Sequence, residues 1–315
     1  MAADPPMPPS GRCSVTVVVA TRDRPAQLAG ALQALAGAVG PDDEVVVVDS
    51  ASAGDATRRV AVDAGVAYER VPVPGASRAR NHGATRARGD VLAFTDDDCR
   101  PQPGWADGFA AAFADPVVGV AVGPVSGAGA GSAADVVDRG ARRWRWPADP
   151  AHIGSGASLA VRRSAFEAVG GFDERLGPGA EVPAGEDHEL VLRLLWAGWE
   201  AAFSPSAVVE HHDLRGRAGT LRLFYGYGVG AGAVAAMARS LDPVAARRLL
   251  RSRLWDDGAA AAARHLARRW EEPAARALAM TAGAAVGRVR ARRLRSAVPP
   301  QVRSGSRLPG TFPAR

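Results

Sequence analysis

Val91-Leu92-Ala93-Phe94-Thr95-Asp96-Asp97-Asp98-Cys99 is an apolar run that ends abruptly in three adjacent carboxylates. A short apolar run of this kind fits a strand buried on both faces of a parallel sheet. Ligands of open α/β sheets lie beyond the carboxyl ends of the strands. Three acids massed there repel one another unless something positive joins them. Mg²⁺ or Mn²⁺ carrying a diphosphate meets that need, since both ions favour carboxylate oxygens and substrate phosphates. The plainer alternative is a solvated acidic turn that caps the next helix. The elements on either side bear on the choice.

Val15 to Ala20 is a strand, Thr21-Arg22-Asp23-Arg24 is the loop beyond it, and Pro25 opens a helix with Leu28, Leu32 and Leu35 at helical spacing. Glu44 to Val48 is a second buried strand ending at Asp49-Ser50, followed by a helix over 55–64 and a short strand over 67–71. A helix from about Ser77 to Gly89 then leads into the strand that ends at Asp96. Strand and helix alternating at this spacing predict a doubly wound, mostly parallel α/β sheet, with Thr21, Asp49 and the acid triplet at one edge. A Rossmann dinucleotide site needs G-x-G-x-x-G after the first strand. Ala20-Thr21-Arg22-Asp23-Arg24-Pro25 has no glycine, so the dehydrogenase reading fails there.

Farther along, the pattern predicts a helix around Trp105, Phe109 and Phe113, one strand over 117–125, and a Gly-, Ala- and Arg-rich insert over 126–151. A strand over 154–163 follows, then a short helix capped by Ser164 and ending at Gly170-Gly171. A Gly/Pro loop over 176–185 precedes Glu186-Asp187 and a helix bearing Leu190, Leu194 and Leu195. The last core pieces are strands over 200–203 and 207–209, the second running into Glu210-His211-His212.

The charge is uneven. From Arg239 onward lie 17 of the 39 basic residues but 5 of the 33 acidic ones, and there is no lysine in the chain. Every cation is therefore a guanidinium, suited to phosphate. Cys13 and Cys99 have neither disulfide nor metal spacing. Residues 1–12 are Pro-rich and lack a signal peptide's basic and apolar regions, so they read as a disordered leader. No stretch has the length and hydropathy of a membrane span, and a cytoplasmic location is expected.

With these pieces in order, the chain resembles the inverting glycosyltransferases of family 2, over roughly residues 14–238. The resemblance rests on the first strand with Thr21-Arg22-Asp23-Arg24, and on Val48-Asp49-Ser50 with Ser77-Arg78-Ala79-Arg80-Asn81-His82-Gly83. It rests further on Phe94-Thr95-Asp96-Asp97-Asp98 in the place of the D-x-D motif, and on Val169-Gly170-Gly171-Phe172-Asp173-Glu174 through Gly185-Glu186-Asp187. The last piece is His211 followed by Phe224-Tyr225-Gly226-Tyr227-Gly228. The resemblance implies a GT-A fold over 13–238. Outside it, Ala and Leu alternating with Arg at helical spacing read as a basic helical extension over 239–295, and the Pro-, Gly-, Ser- and Arg-rich residues 296–315 read as a disordered tail. It implies a donor nucleotide held by Ala20, Thr21, Arg22, Asp49, Arg80, Asp96 and Asp97, and Mg²⁺ or Mn²⁺ held by Asp98, Asp96 and His211. Asp187 would be the catalytic base and Glu186 its support or an acceptor contact.

Elementary chemistry is consistent with that assignment. Inverting transfer needs one base for the acceptor hydroxyl opposite a leaving diphosphate, and a carboxylate at a helix N-terminus is well placed, although the helix dipole favours acids there for structural reasons too. A glycosidase would also use two carboxylates but has no use for the acid triplet. A nucleotidyltransferase should carry a Gly-rich loop where Thr21–Arg24 stands, and a non-catalytic sugar-nucleotide module has no need of intact Asp49, Asp98 and Asp187. Trp144 and Trp146 are candidates for an acceptor lid, against the commoner role of Trp in packing. The arginine-rich helices after residue 239 suit an anionic membrane surface, here the inner face of the plasma membrane, and a glycan or lipid-linked acceptor. Their charge would also suit nucleic acid, which is not the expected partner. A solvated basic face is the plain alternative.

Overall fold

The computed structural model describes residues 12–128, 142–150, 153–212, 216–252, 254, 260–267, 271–291 and 294. Four strands form the parallel half of the main sheet: β1 (Val15–Thr21), β2 (Glu44–Ser50), β3 (Ala67–Val71) and β4 (Val91–Asp96). Helices α1 (Pro25–Leu35), α2 (Ala56–Asp63) and α3 (Ala76–Arg86) connect them. Beyond β4 come β5 (Cys99–Pro101), α4 (Trp105–Ala112), β6 (Val118–Val122), β7 (Val125–Ala128), β8 (Arg143–Trp144), β9 (Leu159–Arg162) and α5 (Arg163–Val169). The chain continues through α6 (Glu186–Trp196), β10 (Glu200–Phe203) and β11 (Val209–His212). It then becomes helical: α7 (Arg217–Ala238), α8 (Pro243–Arg251), α9 (Ala260–Ala267) and α10 (Glu271–Arg290).

The main sheet runs β3-β2-β1-β4-β9-β6-β10-β8, and a small second sheet runs β5-β11-β7. Alternation along the strands sends side chains to opposite faces. Val15, Val17 and Val19 pack with Leu28, Leu32, Leu35, Trp105 and Phe109, while Val18, Leu92 and Phe94 pack with Phe166, Leu190 and Leu194. Thus α1 and α4 cover one face, and α5 and α6 the other. Phe94 meets Phe172 edge-on at 5.0 Å between centroids, tying the β4 strand to the loop after α5.

Four expectations need correction. The single strand expected over 117–125 is two, β6 in the main sheet and β7 in the small one. The break falls at Gly123-Pro124: a Cβ on Gly123 would overlap the Ala207 carbonyl, and proline offers no N–H to the ladder. The strand expected over 154–163 begins as a 3-10 turn, Gly156–Ser158, and only Leu159–Arg162 is extended, antiparallel to both β4 and β6. Ser164 does not cap α5, because the helix starts one residue earlier. Glu210-His211-His212 do not trail a strand but belong to one. Of the expected insert, residues 129–141 and 151 lie outside the described residues, as do residues 1–11 of the expected leader and the tail over 296–315; Arg12, the last residue of that leader, pairs with Asp43.

Helices α7 and α10 pack backbone to backbone. A Cβ on Gly228 or Gly232 would overlap the carbonyls of Met280 or Ala284, and one on Gly283 or Gly287 those of Tyr225 or Val229. The partners advance together, so the two helices run parallel, as close as glycine permits. Gly230 of α7 abuts the backbone of Ala184 and Gly185 on its other side. Among the described residues, no helix is long and apolar enough to cross a membrane.

Candidate functional site

Strands β1, β2 and β4 end level: Thr21 is in register with Asp49, and Ala20 with Asp96. The loops that follow carry two non-glycine residues in the left-handed region, Asp23 (φ 53°) and Ala51 (φ 60°). Such residues store strain that surrounding contacts must hold. Here the loops clasp each other, Asp23 N–H donating to Ser52 Oγ (2.8 Å) and Ala53 N–H to Asp23 Oδ1 (2.7 Å). Asp49 is fully buried and accepts from Ser52 N–H (2.7 Å) and the Tyr68 hydroxyl (2.9 Å). Burial and that bond push the Tyr68 hydroxyl up to about 12. Asp49 therefore lies under the loop as its anchor, while Arg22 is at the rim, its side chain half exposed.

The three acids have three different neighbourhoods. Asp96 accepts from Arg80 Nη2 (2.7 Å), and Arg80 Nη1 donates to Glu186 (2.8 Å). Asp97 is buried, accepting from Thr21 Oγ1 (2.7 Å) and Arg24 Nη1 (2.6 Å). Burial raises Asp97 to about 6, and Arg24 and Thr21 offset only part of that. Asp98 accepts from Arg24 Nη2 (2.7 Å) at one oxygen, and its other oxygen is 3.3 Å from His211 Nε2. For Asp98 burial acts upward, but His211 and Arg24 outweigh it and hold the carboxyl well below its usual range.

The main chain explains why His211, more than a hundred residues away, is there. Strand β11 pairs antiparallel with β5, placing His211 opposite Cys99, and His212 N–H donates to the Asp98 carbonyl (2.8 Å). Asp98, Cys99 and His211 offer ligand atoms within 4.8 Å of one another. Burial pushes the Cys99 thiol well above its ordinary value, so the donor pair is the carboxylate and the imidazole. A hard oxygen and a borderline nitrogen suit Mn²⁺ or Mg²⁺ completed by phosphate oxygens. Asp96, also expected as a ligand, accepts from Arg80 at one oxygen, Oδ1.

Glu186 and Asp187 open α6 behind Gly185, whose φ of 94° favours glycine. Asp187 accepts from Gly156 N–H and His188 N–H, both at 2.8 Å, one at each oxygen. Burial acts upward on it too, but His188 and these two N–H groups hold it below the usual range. Glu186 goes the other way: burial raises it, with Arg80 opposing and Asp187 adding. Arg80 is the link, almost fully buried between Asp96 and Glu186. Sequence reasoning named Arg80 for the donor; its observed partners are acids of the site.

Arg24 escaped the sequence reading, although three adjacent acids demand a cation and its loop follows the strand beside theirs. Trp144 and Trp146 do not stand free as a lid. Trp144 lies in the edge strand β8, opposite Ala201, and Trp146 packs edge-on against Trp196 at 5.0 Å. Beside Trp146, two adjoining clefts share Asp149 and Leu249; one reaches His188 and the other Arg248.

Residues 16–170 match the family model described as glycosyl transferase family 2. A pre-mycofactocin glycosyltransferase of Mycobacterium tuberculosis is 31% identical over 220 residues, covering 65% of this chain and 44% of that protein. The chain thus spans less than half the length of that relative. An N-acetylglucosaminyl-diphospho-decaprenol L-rhamnosyltransferase of the same organism is 52% identical over 58 residues, 18% of this chain and 17% of that one. Among solved structures, the mannosyltransferase PcManGT of Pyrobaculum calidifontis, in complex with GDP-Man and Mn²⁺, aligns with a TM-score of 0.57 at 21% identity, covering 91% of this chain and 90% of that one. S. aureus TarS aligns with a TM-score of 0.57 at 16% identity, over 76% of this chain and 42% of that one.

Proposed function

The chain belongs to glycosyl transferase family 2 and has its GT-A fold, and from that premise we propose that it moves a sugar from a nucleotide-diphosphate sugar to an acceptor hydroxyl, in glycan synthesis, with inversion at the anomeric carbon. The observation that carries this reading is the Asp96–Arg80–Glu186 chain of contacts, which joins the acid triplet to the carboxylate at the start of α6. It puts a donor-side group and a base-side group in one rigid frame.

Asp98 and His211 would hold Mg²⁺ or Mn²⁺, which when bound supplies positive charge to the leaving diphosphate. The loops after β1 and β2, clasped over Asp49, form the floor for the nucleoside, with Ala20, Thr21 and Arg22 along it. Asp187 takes the acceptor's proton. Each of its oxygens keeps a lone pair beyond the backbone N–H it already accepts, and its depressed pKa keeps it ionised at neutral pH. As the acceptor oxygen bonds to the anomeric carbon, the bond from that carbon to the diphosphate breaks and the proton ends on Asp187. Glu186, charge-paired to Arg80, fixes the turn that presents it.

We place the rest of the acceptor in the wider cleft, lined by Trp146, Asp149 and Arg248, since the one that reaches His188 is no larger than a water. An aromatic edge with a carboxylate and a guanidinium suits a saccharide. Arginines of α8 and α10, with exposed Val244, Leu278 and Val289, suit peripheral contact with an anionic bilayer on the cytoplasmic side. The first test is a thermal-shift panel of UDP, GDP, dTDP and CMP with and without Mn²⁺. A Mn²⁺-dependent rise for one diphosphate is the expected result; no rise with any of them would overturn the donor assignment.

A further inference from the structure

Arg24 spreads one guanidinium across two adjacent carboxylates, Nη1 to Asp97 at 2.6 Å and Nη2 to Asp98 at 2.7 Å. Both acids are buried, whereas the Arg24 side chain is 38% exposed. It reaches in from the β1 loop, which is anchored at Asp23 and Ser52 rather than by Arg24 itself. The cation can therefore leave without the loop unfolding. The carboxylate it shares, Asp98, is the one that faces His211.

We infer that Arg24 is the resident counter-cation of the acid triplet and competes with the divalent ion for Asp98, so that ion and diphosphate load together. The inference rests on the metal-assisted reading above. With Arg24 in place, Asp97 and Asp98 share one guanidinium, and an ion arriving alone meets a carboxylate already paired and a like charge beside it. An ion arriving with a diphosphate brings anionic oxygens that receive the guanidinium Asp98 gives up, in the forked geometry arginine favours. Arg24 is thus a positioning residue for the ion and a donor contact once the diphosphate is in. A purely structural Arg24 predicts the opposite sign, since its loss would loosen Asp98 and weaken the ion.

The test is Mn²⁺ binding by the full chain, followed through the EPR signal of free Mn²⁺, with no sugar donor present. Arg24→Gln should bind Mn²⁺ alone more tightly, on the order of tenfold, the size expected when one unit charge near a divalent ion is removed from a wet site. Arg24→Lys, whose single ammonium cannot span both carboxylates, should fall between it and the parent, and carries the test if the glutamine variant does not fold. Inorganic pyrophosphate should tighten Mn²⁺ binding in the parent more than in either variant. Equal or weaker Mn²⁺ binding in a folded variant, with the parent still binding Mn²⁺, overturns the competition and leaves the transferase reading intact. No Mn²⁺ binding by any of the three, with or without pyrophosphate, overturns the metal reading and this inference together.

Discussion

Asp98 and Asp187 are both carboxylates held below their ordinary range, and they are held there by different chemistry. Asp98 is stabilised by charged side chains, His211 and Arg24, at the end of a strand. Asp187 is held by the charge of His188 and, at each oxygen, by a neutral peptide N–H, from Gly156 and His188, at the start of a helix. Side-chain cations can swing away, so the first carboxylate is suited to exchanging one positive partner for another. Peptide donors cannot leave, so the second keeps its orientation with a lone pair free at each oxygen. In the function proposed above, one acid exchanges ligands and the other takes a proton, and Arg80 links them through Asp96 and Glu186.

The comparison breaks most sharply at Asp187. Asp187→Asn should cut transfer by roughly 10²–10⁴-fold, the usual worth of a general base, while the nucleotide-dependent thermal shift stays as in the parent. Loss of the shift as well would mean that Asp187 belongs to the donor side. Arg80→Met removes the common partner of two acids, one of them deeply buried, and should lower stability by about 3–5 kcal/mol, read as a fall in melting temperature. A change within error would show that the link is dispensable. Asp98→Ala should abolish the Mn²⁺-dependent part of nucleotide binding and leave α6 in place; calorimetric titration with and without Mn²⁺ checks it.

A smaller effect separates Asp97 from its neighbours. Its pKa is raised from 3.8 to about 6 in the folded chain. Between those values the native state binds more protons than the unfolded one, so this group's contribution to stability falls as pH rises. Asp98 and Asp187, with depressed values, act in the opposite sense, and their contribution is lost as pH drops below the ordinary carboxylate range. Asp97→Asn should therefore flatten the loss of stability that the parent shows on going from about pH 4 to about pH 6, measured as melting temperature against pH. Smallest is Trp146→Leu, which should raise the acceptor KM a few-fold and leave the donor KM unchanged; equal effects on both would make Trp146 a packing residue alone.

Much of the parallel half of the main sheet could be read from the chain. Val15–Ala20, Glu44–Val48 and Val91–Asp96 announce themselves because strands buried on both faces are continuously apolar, and the acids at their ends follow from the parallel topology. What could not be read is pairing across distance. Nothing local in Val209–His212 says that it pairs with Cys99–Pro101 and Val125–Ala128 in a second sheet. That pairing sets the geometry of His211. Residues 117–125 read as one strand because the β-branched run hides the cost of Gly123-Pro124. Arg24 and Tyr68 were passed over because a cation or hydroxyl acquires meaning only from the acid it faces, and those acids lie 73 and 19 positions away.

The glycine seam between α7 and α10 sets the limits of what can be cut or exchanged. The last helix is wedged against α7, which abuts the loop that presents Glu186 and Asp187. A deletion ending near residue 238 would strip the outer half of that sandwich and leave a glycine-lined groove in water behind the Gly185–Asp187 turn. A shortened chain therefore has to keep both helices, and any chimera that borrows one of them has to borrow both.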